Sequence, residues 1–285
     1  MTITGKTRVA GVMGWPVAHS RSPALHGYWL RRYAIDGAYI PLPVKPENLS
    51  AALRALPLLG FAGVNLTAPH KESALAIVDR ADAQARRIGA ANTVTVEADG
   101  TLSAINTDGF GFIENLRATI PAWKGGAGPA VVIGAGGAAR AVVAALFDAG
   151  VAEVRLVNRT EARAGALAEA LSGAVRVVPW SARAEALSGA ALLVNATTLG
   201  QEGNPPLDLD LEPLPKTAIV YDIVYTPLET PLLRRAKASG HPTVDGLGML
   251  LHQARPGFRV WFGKGTLDPE VTAGLRAEVA GGGAG

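Results

Sequence analysis

The sequence contains no cysteine, and that absence removes disulfide bonds, thiolate metal sites and a cysteine nucleophile together. It also lacks any run of about 18 apolar residues, the length a helix needs to cross a bilayer. The nearest candidate, Ala141–Val157, is broken by Asp148 and Glu153. The opening stretch MTITGKTRVAGVMGW has neither a long apolar region nor a small-residue cleavage site, so no secretory leader is expected. A cytoplasmic protein that avoids membranes is the expectation. Charge of one sign is equally scarce: 27 Lys and Arg stand against 24 Asp and Glu, spread without blocks. Nucleic acid is therefore not an expected partner, whereas a small anionic ligand suits the balance. The five histidines (19, 26, 70, 241 and 252) lack any ligand spacing, so no metal is expected. No Gly-x-Ser-x-Gly elbow is present, which argues against an α/β-hydrolase. Gly257–Gly265 fails as a phosphate loop, because Gly265 follows Lys264 where Ser or Thr is needed.

What is present is a chain of 285 residues, 48% apolar, with 34 glycines and 19 prolines scattered through it. That length exceeds the usual single domain and predicts two packed cores. Strand-like runs at Arg8–Gly14, Ala38–Val44, Phe61–Leu66, Thr93–Glu97 and Leu102–Ala104 alternate with helical patterns at Ser22–Ile35, Pro46–Leu59 and Lys71–Ile88. After a helix at Asp108–Ile120 and a turn-rich segment at Pro121–Pro129, the alternation resumes. Strands are expected at Ala130–Ile133, Glu153–Asn158, Val175–Val178, Ala191–Asn195 and Ala218–Ile223. Helices are expected at Ala138–Asp148, Glu161–Leu171, Ala182–Leu187, Pro231–Ala238 and Gly248–Phe262. This rhythm predicts an α/β fold: an N-terminal α/β domain (1–107), a doubly wound Rossmann domain (108–246), and C-terminal helices (247–285) returning to the first domain.

Residues 129–140, PAVVIGAGGAAR, carry a nucleotide-binding turn in its proper setting. An apolar strand runs into Gly134-x-Gly136-x-x-Ala139 and an alanine-rich helix follows. The first glycine permits the tight turn, the second admits a pyrophosphate, and Ala139 lets the helix pack near the strand. The helix N-terminus offers free N–H groups and a positive dipole end to phosphate. An NAD site commonly carries an acidic residue about 20 residues on, accepting from the ribose 2′-hydroxyl. Here that position reads Val157-Asn158-Arg159-Thr160, with Arg163 one turn later. Arginine pairs with a 2′-phosphate, so NADP is the expected cofactor.

Four polar clusters mark strand ends in the first part. Ser20 and Ser22 stand at a predicted helix start, placed to cap the helix or to bind a carboxylate. Asn65, Thr67 and Lys71 follow an apolar strand, and a lysine among polar loop groups can work as acid or base. Asn92 and the Asn106–Asp108 stretch complete the set, each equally readable as turn or cap residues. Lys71 and Asp108 in one cleft would make a proton-transfer pair.

Read in order, HSRSP, GVNLTAPHK, GAANT, NTDGFGF, GAGGAARA, NRTEARA, NATTLG, YDIVYTPLET and DGLGMLLHQ resemble the shikimate dehydrogenase family, from about residue 10 to 263. The resemblance implies NADP-dependent, reversible reduction of 3-dehydroshikimate to shikimate, on the route to chorismate and aromatic amino acids. It implies Lys71 as the catalytic acid/base with Asp108 as its partner, and Ser20 and Ser22 on the substrate carboxylate. It further implies Asn65, Thr67, Asn92, Asp108, Tyr225 and Gln253 as substrate contacts. Gly134, Ala135, Gly136, Gly137, Ala138, Asn158, Arg159, Thr160 and Arg163 would hold the cofactor phosphates, with Thr198, Ile223 and Gly246 near the nicotinamide half. The sequence departs from the common pattern at Gly27, at Ala68 and at Arg255-Pro256-Gly257, where Pro256 is expected to disrupt the helix. A quinate/shikimate dehydrogenase using NAD, and a non-catalytic NADP sensor, are the alternatives. A monomer or homodimer is expected.

Overall fold

The computed structural model describes residues 3–171, 173–263 and 265–281. In the C-terminal GGGAG, the residues after Gly281 lie outside the described ones. The chain divides into two compact units: residues up to Thr107 together with those from Leu250 onward, and Asp108–Met249 between them.

The first unit is built on β1 (Arg8–Gly14), α1 (Ser22–Arg32), β2 (Gly37–Pro43), α2 (Leu49–Ala55), β3 (Phe61–Leu66), β4 (Arg80–Ala81), α3 (Ala83–Ile88), β5 (Thr93–Val96) and β6 (Leu102–Ile105). Its sheet runs β2-β1-β3-β5-β6-β4. β1 pairs in parallel with β2 and β3, whereas β5 is antiparallel to both β3 and β6. Leu53, Val64, Val94 and Leu102 are fully buried in its core, and each such side chain contributes roughly 1.5–3 kcal/mol.

The second unit contains α4 (Asp108–Thr119), β7 (Ala130–Ile133), α5 (Gly137–Asp148), β8 (Val154–Val157), α6 (Glu161–Ala170), β9 (Val175–Val178), β10 (Leu192–Asn195), β11 (Ile219–Asp222), α7 (Pro231–Ala238) and β12 (Thr243–Val244). All pairings are parallel and the order is β12-β11-β10-β7-β8-β9. Counted from β7, this is the 3-2-1-4-5-6 order of a doubly wound fold, whose strand order reverses between β7 and β10. Such sheets are covered on both faces, which is why β7 and β10 are uninterrupted apolar runs apart from Asn195. Helix α8 (Gly246–Trp261) begins in this unit and passes into the first, where α9 (Ala273–Ala280) follows.

Several elements differ from the sequence expectation. The segment Lys71–Ile88 is not one helix: a 3₁₀ turn at Ser73–Ala76 gives way to β4, and only Ala83–Ile88 is α-helical. Two aspartates cause the break. Asp79 accepts from the Leu102 N–H at 2.8 Å and docks the chain along β6, while Asp82 caps α3 through the Ala85 N–H at 2.6 Å. Around Ala182–Leu187 the structure has two 3₁₀ turns in place of an α-helix. Pro256 does not disrupt α8, which runs through it. Proline withholds a donor from the carbonyl of His252, but the next carbonyl, of Gln253, accepts from Thr107 Oγ1 at 2.8 Å. Buried Phe258 and Trp261 hold the remaining turns in place.

Candidate active site

In the first unit, the chain after β3 is pinned at several points. Thr67 N–H donates to Met13 O at 2.9 Å and His70 Nε2 lies 2.8 Å from Val44 O. The Lys71 carbonyl accepts from Ala91 N–H at 2.8 Å. Lys71 is thereby held, half-buried, on a loop whose backbone is committed on both sides. The Ser20–Ser22 turn is anchored differently. Ser20 Oγ accepts from Ser22 N–H at 3.3 Å, and Arg21 donates to the carbonyls of Val279 and Ala280, both at 2.9 Å. The guanidinium thus satisfies the last carbonyls of α9, one of the expected C-terminal helices, whose bounds the sequence alone does not set.

Behind these loops lies a buried, neutral hydrogen-bond network. Asn65 Oδ1 accepts from Tyr39 OH at 2.7 Å, and Asn65 Nδ2 donates to Asn92 O and Thr93 Oγ1, each at 3.1 Å. Both amide hydrogens of Asn65 are therefore spent, and Oδ1 keeps a lone pair for a donor. Asn92 Nδ2 donates to Thr107 Oγ1 at 2.9 Å and Gln253 Oε1 at 3.1 Å, and its Oδ1 accepts from Thr107 N–H at 2.9 Å. The structure thus unites Asn65, Asn92 and Gln253, which are far apart in sequence. It draws in Thr93 and Thr107 from the polar clusters around Asn92 and Asn106–Asp108, and adds Tyr39, whose partner Asn65 is too distant in the chain to be read from local pattern. Burial pushes the Tyr39 hydroxyl well above its usual range, against a hydrogen bond with Ser22. His26 stacks on the Tyr39 ring at 3.9 Å, fully buried beside the Asn65 side chain. Burial lowers its pKa to about 3, so it is a neutral wall.

In the second unit, Gly134 has φ +117, and a Cβ there would stand 2.9 Å from Ala196 O. The fold itself demands that glycine. Gly136 is different: its backbone is extended and an added Cβ would meet nothing within 4 Å. None of the described residues requires glycine here, so the free space suits a close-approaching ligand such as pyrophosphate. Gly137 and Ala138 open α5, whose N-cap has no side-chain hydrogen bond, and Ala135 is buried behind the turn. Arg159, Thr160 and Arg163 are exposed, while Asn158 Nδ2 donates to Thr160 O at 2.9 Å and fixes their loop. These residues fit a phosphorylated dinucleotide. Thr198 is exposed in the loop after β10. A Cβ on Gly246 would lie 2.2 Å from Ile223 O, so Ile223 and Gly246 are in backbone contact.

Two further site residues belong to the second unit: Tyr225 lies three residues past β11, and Asp108 is the buried first residue of α4. A carboxylate at a helix N-terminus is favourably placed against the helix dipole. Among the described residues, no group of three or more His, Cys, Asp or Glu could hold a metal. Among them too, no helix is long and apolar enough to cross a membrane.

Comparison with known proteins bears on both units. Residues 12–94 match the profile of the shikimate dehydrogenase substrate binding domain, and residues 126–202 that of shikimate / quinate 5-dehydrogenase. The chain is 61% identical over 277 residues to the shikimate dehydrogenase (NADP(+)) of Paramagnetospirillum magneticum, covering 97% of this chain and 99% of that one. Among solved structures, shikimate 5-dehydrogenase from Thermus thermophilus in complex with NADP(H) and shikimate aligns with a TM-score of 0.84. That match has 42% identity and covers 96% and 98% of the two chains. Quinate dehydrogenase from Corynebacterium glutamicum in complex with NAD aligns with a TM-score of 0.87 at 33% identity, covering 95% and 98%.

Proposed function

The chain belongs to the shikimate dehydrogenase family, and on that premise we propose that it catalyses the NADP-dependent, reversible reduction of 3-dehydroshikimate to shikimate. The observation that carries this reading is 61% identity, across 97% of the chain, to a relative of that activity. The product would feed chorismate and aromatic amino acid synthesis. Residues 1–107 with 247–285 are assigned to the substrate and 108–246 to the cofactor, a division in keeping with the two matched profiles.

Bound NADPH supplies hydride to the substrate carbonyl carbon. Lys71 donates the proton that the developing alkoxide takes up, and removes it in the reverse direction. Asp108 is assigned as its catalytic partner. Ser20 and Ser22 bind the substrate carboxylate, while Asn65, Thr67, Asn92, Tyr225 and Gln253 hold the hydroxyls. The spent amide hydrogens of Asn65 support one specific role: its Oδ1 accepts from a substrate hydroxyl. Asn158, Arg159, Thr160 and Arg163 take the 2′-phosphate, residues 134–138 the pyrophosphate, and Thr198, Ile223 and Gly246 the nicotinamide half. The enzyme works in the cytoplasm as a monomer or homodimer, a placement supported by the lack of a membrane-length apolar helix among the described residues.

The test is oxidation of shikimate and of quinate, each with NADP⁺ and NAD⁺, followed by absorbance of the reduced nicotinamide. Turnover of shikimate with NADP⁺ above the other three combinations is expected. Preference for quinate with NAD⁺ would make the chain a quinate dehydrogenase. Cofactor binding without turnover would make it a sensor.

A further inference from the structure

We infer that Asp222 is a positioning residue, holding in register the two loops assigned to the nicotinamide half of the cofactor. The inference rests on the assignment of Thr198 and Ile223 to that half. β10 and β11 are neighbouring parallel strands in which Asn195 pairs with Asp222, so their last side chains stand abreast where the strands end. Both are fully buried. Asn195 Nδ2 donates to Asp222 Oδ1 at 2.9 Å and to Leu199 O at 3.0 Å, and Asn195 Oδ1 accepts from Thr197 Oγ1 at 2.7 Å and Thr197 N–H at 3.1 Å. That amide therefore clasps the loop carrying Thr198 from both sides. Asp222 Oδ1 also accepts from Val224 N–H at 3.1 Å, which fixes the turn carrying Ile223. Asp222 Oδ2 accepts from Thr230 Oγ1 at 2.6 Å, and the same hydroxyl caps α7 by accepting from Leu233 N–H at 3.2 Å.

An ionised carboxylate only accepts hydrogen bonds, so it gives every group around it one direction. Asn195 must turn its NH₂ toward Asp222, which leaves its carbonyl oxygen for Thr197. An amide at 222 would face some of these donors with donors of its own, and Asn195 could then flip and release the Thr197 turn. Burial raises the Asp222 pKa to about 6, so keeping a charge here is costly, and a neutral tie would suffice if stability alone were served.

The full-length protein and Asp222→Asn are titrated with 2′,5′-ADP, which probes the adenosine end alone, and with NADPH. We expect 2′,5′-ADP affinity to stay within about twofold while NADPH affinity falls about tenfold, the size of one lost hydrogen bond to a charged group. In turnover, kcat should fall while the KM for shikimate holds. Parallel weakening of both ligands, or no weakening of either, overturns the inference. Failure of the unsubstituted protein to bind 2′,5′-ADP would instead overturn the cofactor assignment. If Asp222→Asn does not fold, Thr230→Val should show the same split at smaller size and Thr230→Ser should abolish it; equal behaviour of the two overturns the inference.

Discussion

The two units prepare for their ligands in opposite ways. In the first, the candidate site is backed by a preset network of neutral groups: Tyr39, Asn65, Asn92, Thr93, Thr107 and Gln253 hydrogen-bond to one another inside the fold. In the second, the corresponding surface is left open. Gly136 faces free space, the N-terminus of α5 has no side-chain cap, and Arg159 and Arg163 are exposed. The difference follows from what each is proposed to hold. A small polyhydroxylated acid must be told from its isomers, which takes preset donors and acceptors whose directions cannot drift. A dinucleotide with several phosphates is held by free N–H groups and mobile cations, which need little prior order.

The largest effect should come where the ordered site meets the chemistry. Lys71→Ala is expected to lower kcat by about 10²–10⁴-fold, the usual worth of a general acid or base. NADPH affinity should be untouched, since the cofactor groups are all assigned to the other unit. Unchanged turnover would remove Lys71 from the mechanism. A matching loss of NADPH binding would undo the division of labour itself.

Asp222 is the place where the second unit breaks its own pattern, because there it is closed and charged. Its pKa rises from 3.8 unfolded to about 6 folded, chiefly through burial. A raised carboxyl pKa means that the folded state holds the proton more tightly. The group's contribution to stability is therefore complete below pH 3.8, declines as pH climbs toward 6, and is lost above it. About two pKa units correspond to roughly 3 kcal/mol. His26 works in the opposite sense, costing stability as pH falls below 6.5. Only the difference between the protein and Asp222→Asn isolates Asp222. Thermal unfolding of both between about pH 4 and 7 should show the unsubstituted protein losing ground as pH rises. A pH-independent difference would deny the raised pKa.

Arg159 tests the open end. Arg159→Ala should weaken NADPH by about 10–100-fold, as expected for a lost charge-assisted pair with phosphate, and leave NADH unaffected. Added salt should erode the NADPH preference of the unsubstituted protein, because exposed charges are screened. Equal losses for both cofactors would move the 2′-phosphate site elsewhere.

This contrast also sets what could be read from the residues alone. The open end was legible, because a backbone cradle writes itself locally: Gly134-x-Gly136-x-x-Ala139 and Asn158-Arg159-Thr160 are each contiguous. The strand-and-helix alternation was legible for the same reason. The closed network was legible only in part. Asn65, Asn92 and Gln253 stood out at strand ends and in the family pattern, but Tyr39 lies in mid-strand and binds Asn65, 26 residues away. Nothing in its neighbourhood distinguishes it from a core tyrosine. Pro256 shows the same limit, since the local rule for a helix breaker was overruled by burial and by a Thr107 hydroxyl 146 residues distant in sequence. The error at Lys71–Ile88 was of another kind. Asp82 and Gly89 are an ordinary cap and left-handed stop for a short helix, and the alanine-rich composition around them masked that signal.

The smallest effect discriminates most finely. Tyr39→Phe removes one hydroxyl and leaves the stacked ring on His26 in place. Asn65 Oδ1 would lose the donor that, with the Asn92 carbonyl on the other side, holds its amide in place. If Asn65 presents that oxygen to a substrate hydroxyl, the variant should lose about 1 kcal/mol of stability. It should also lose about fivefold in kcat/KM for shikimate, with NADPH affinity unchanged. A stability loss without any change in kcat/KM would make the tyrosine part of the core alone, and the preset network would then be scaffolding behind the site, not the part that reads the substrate.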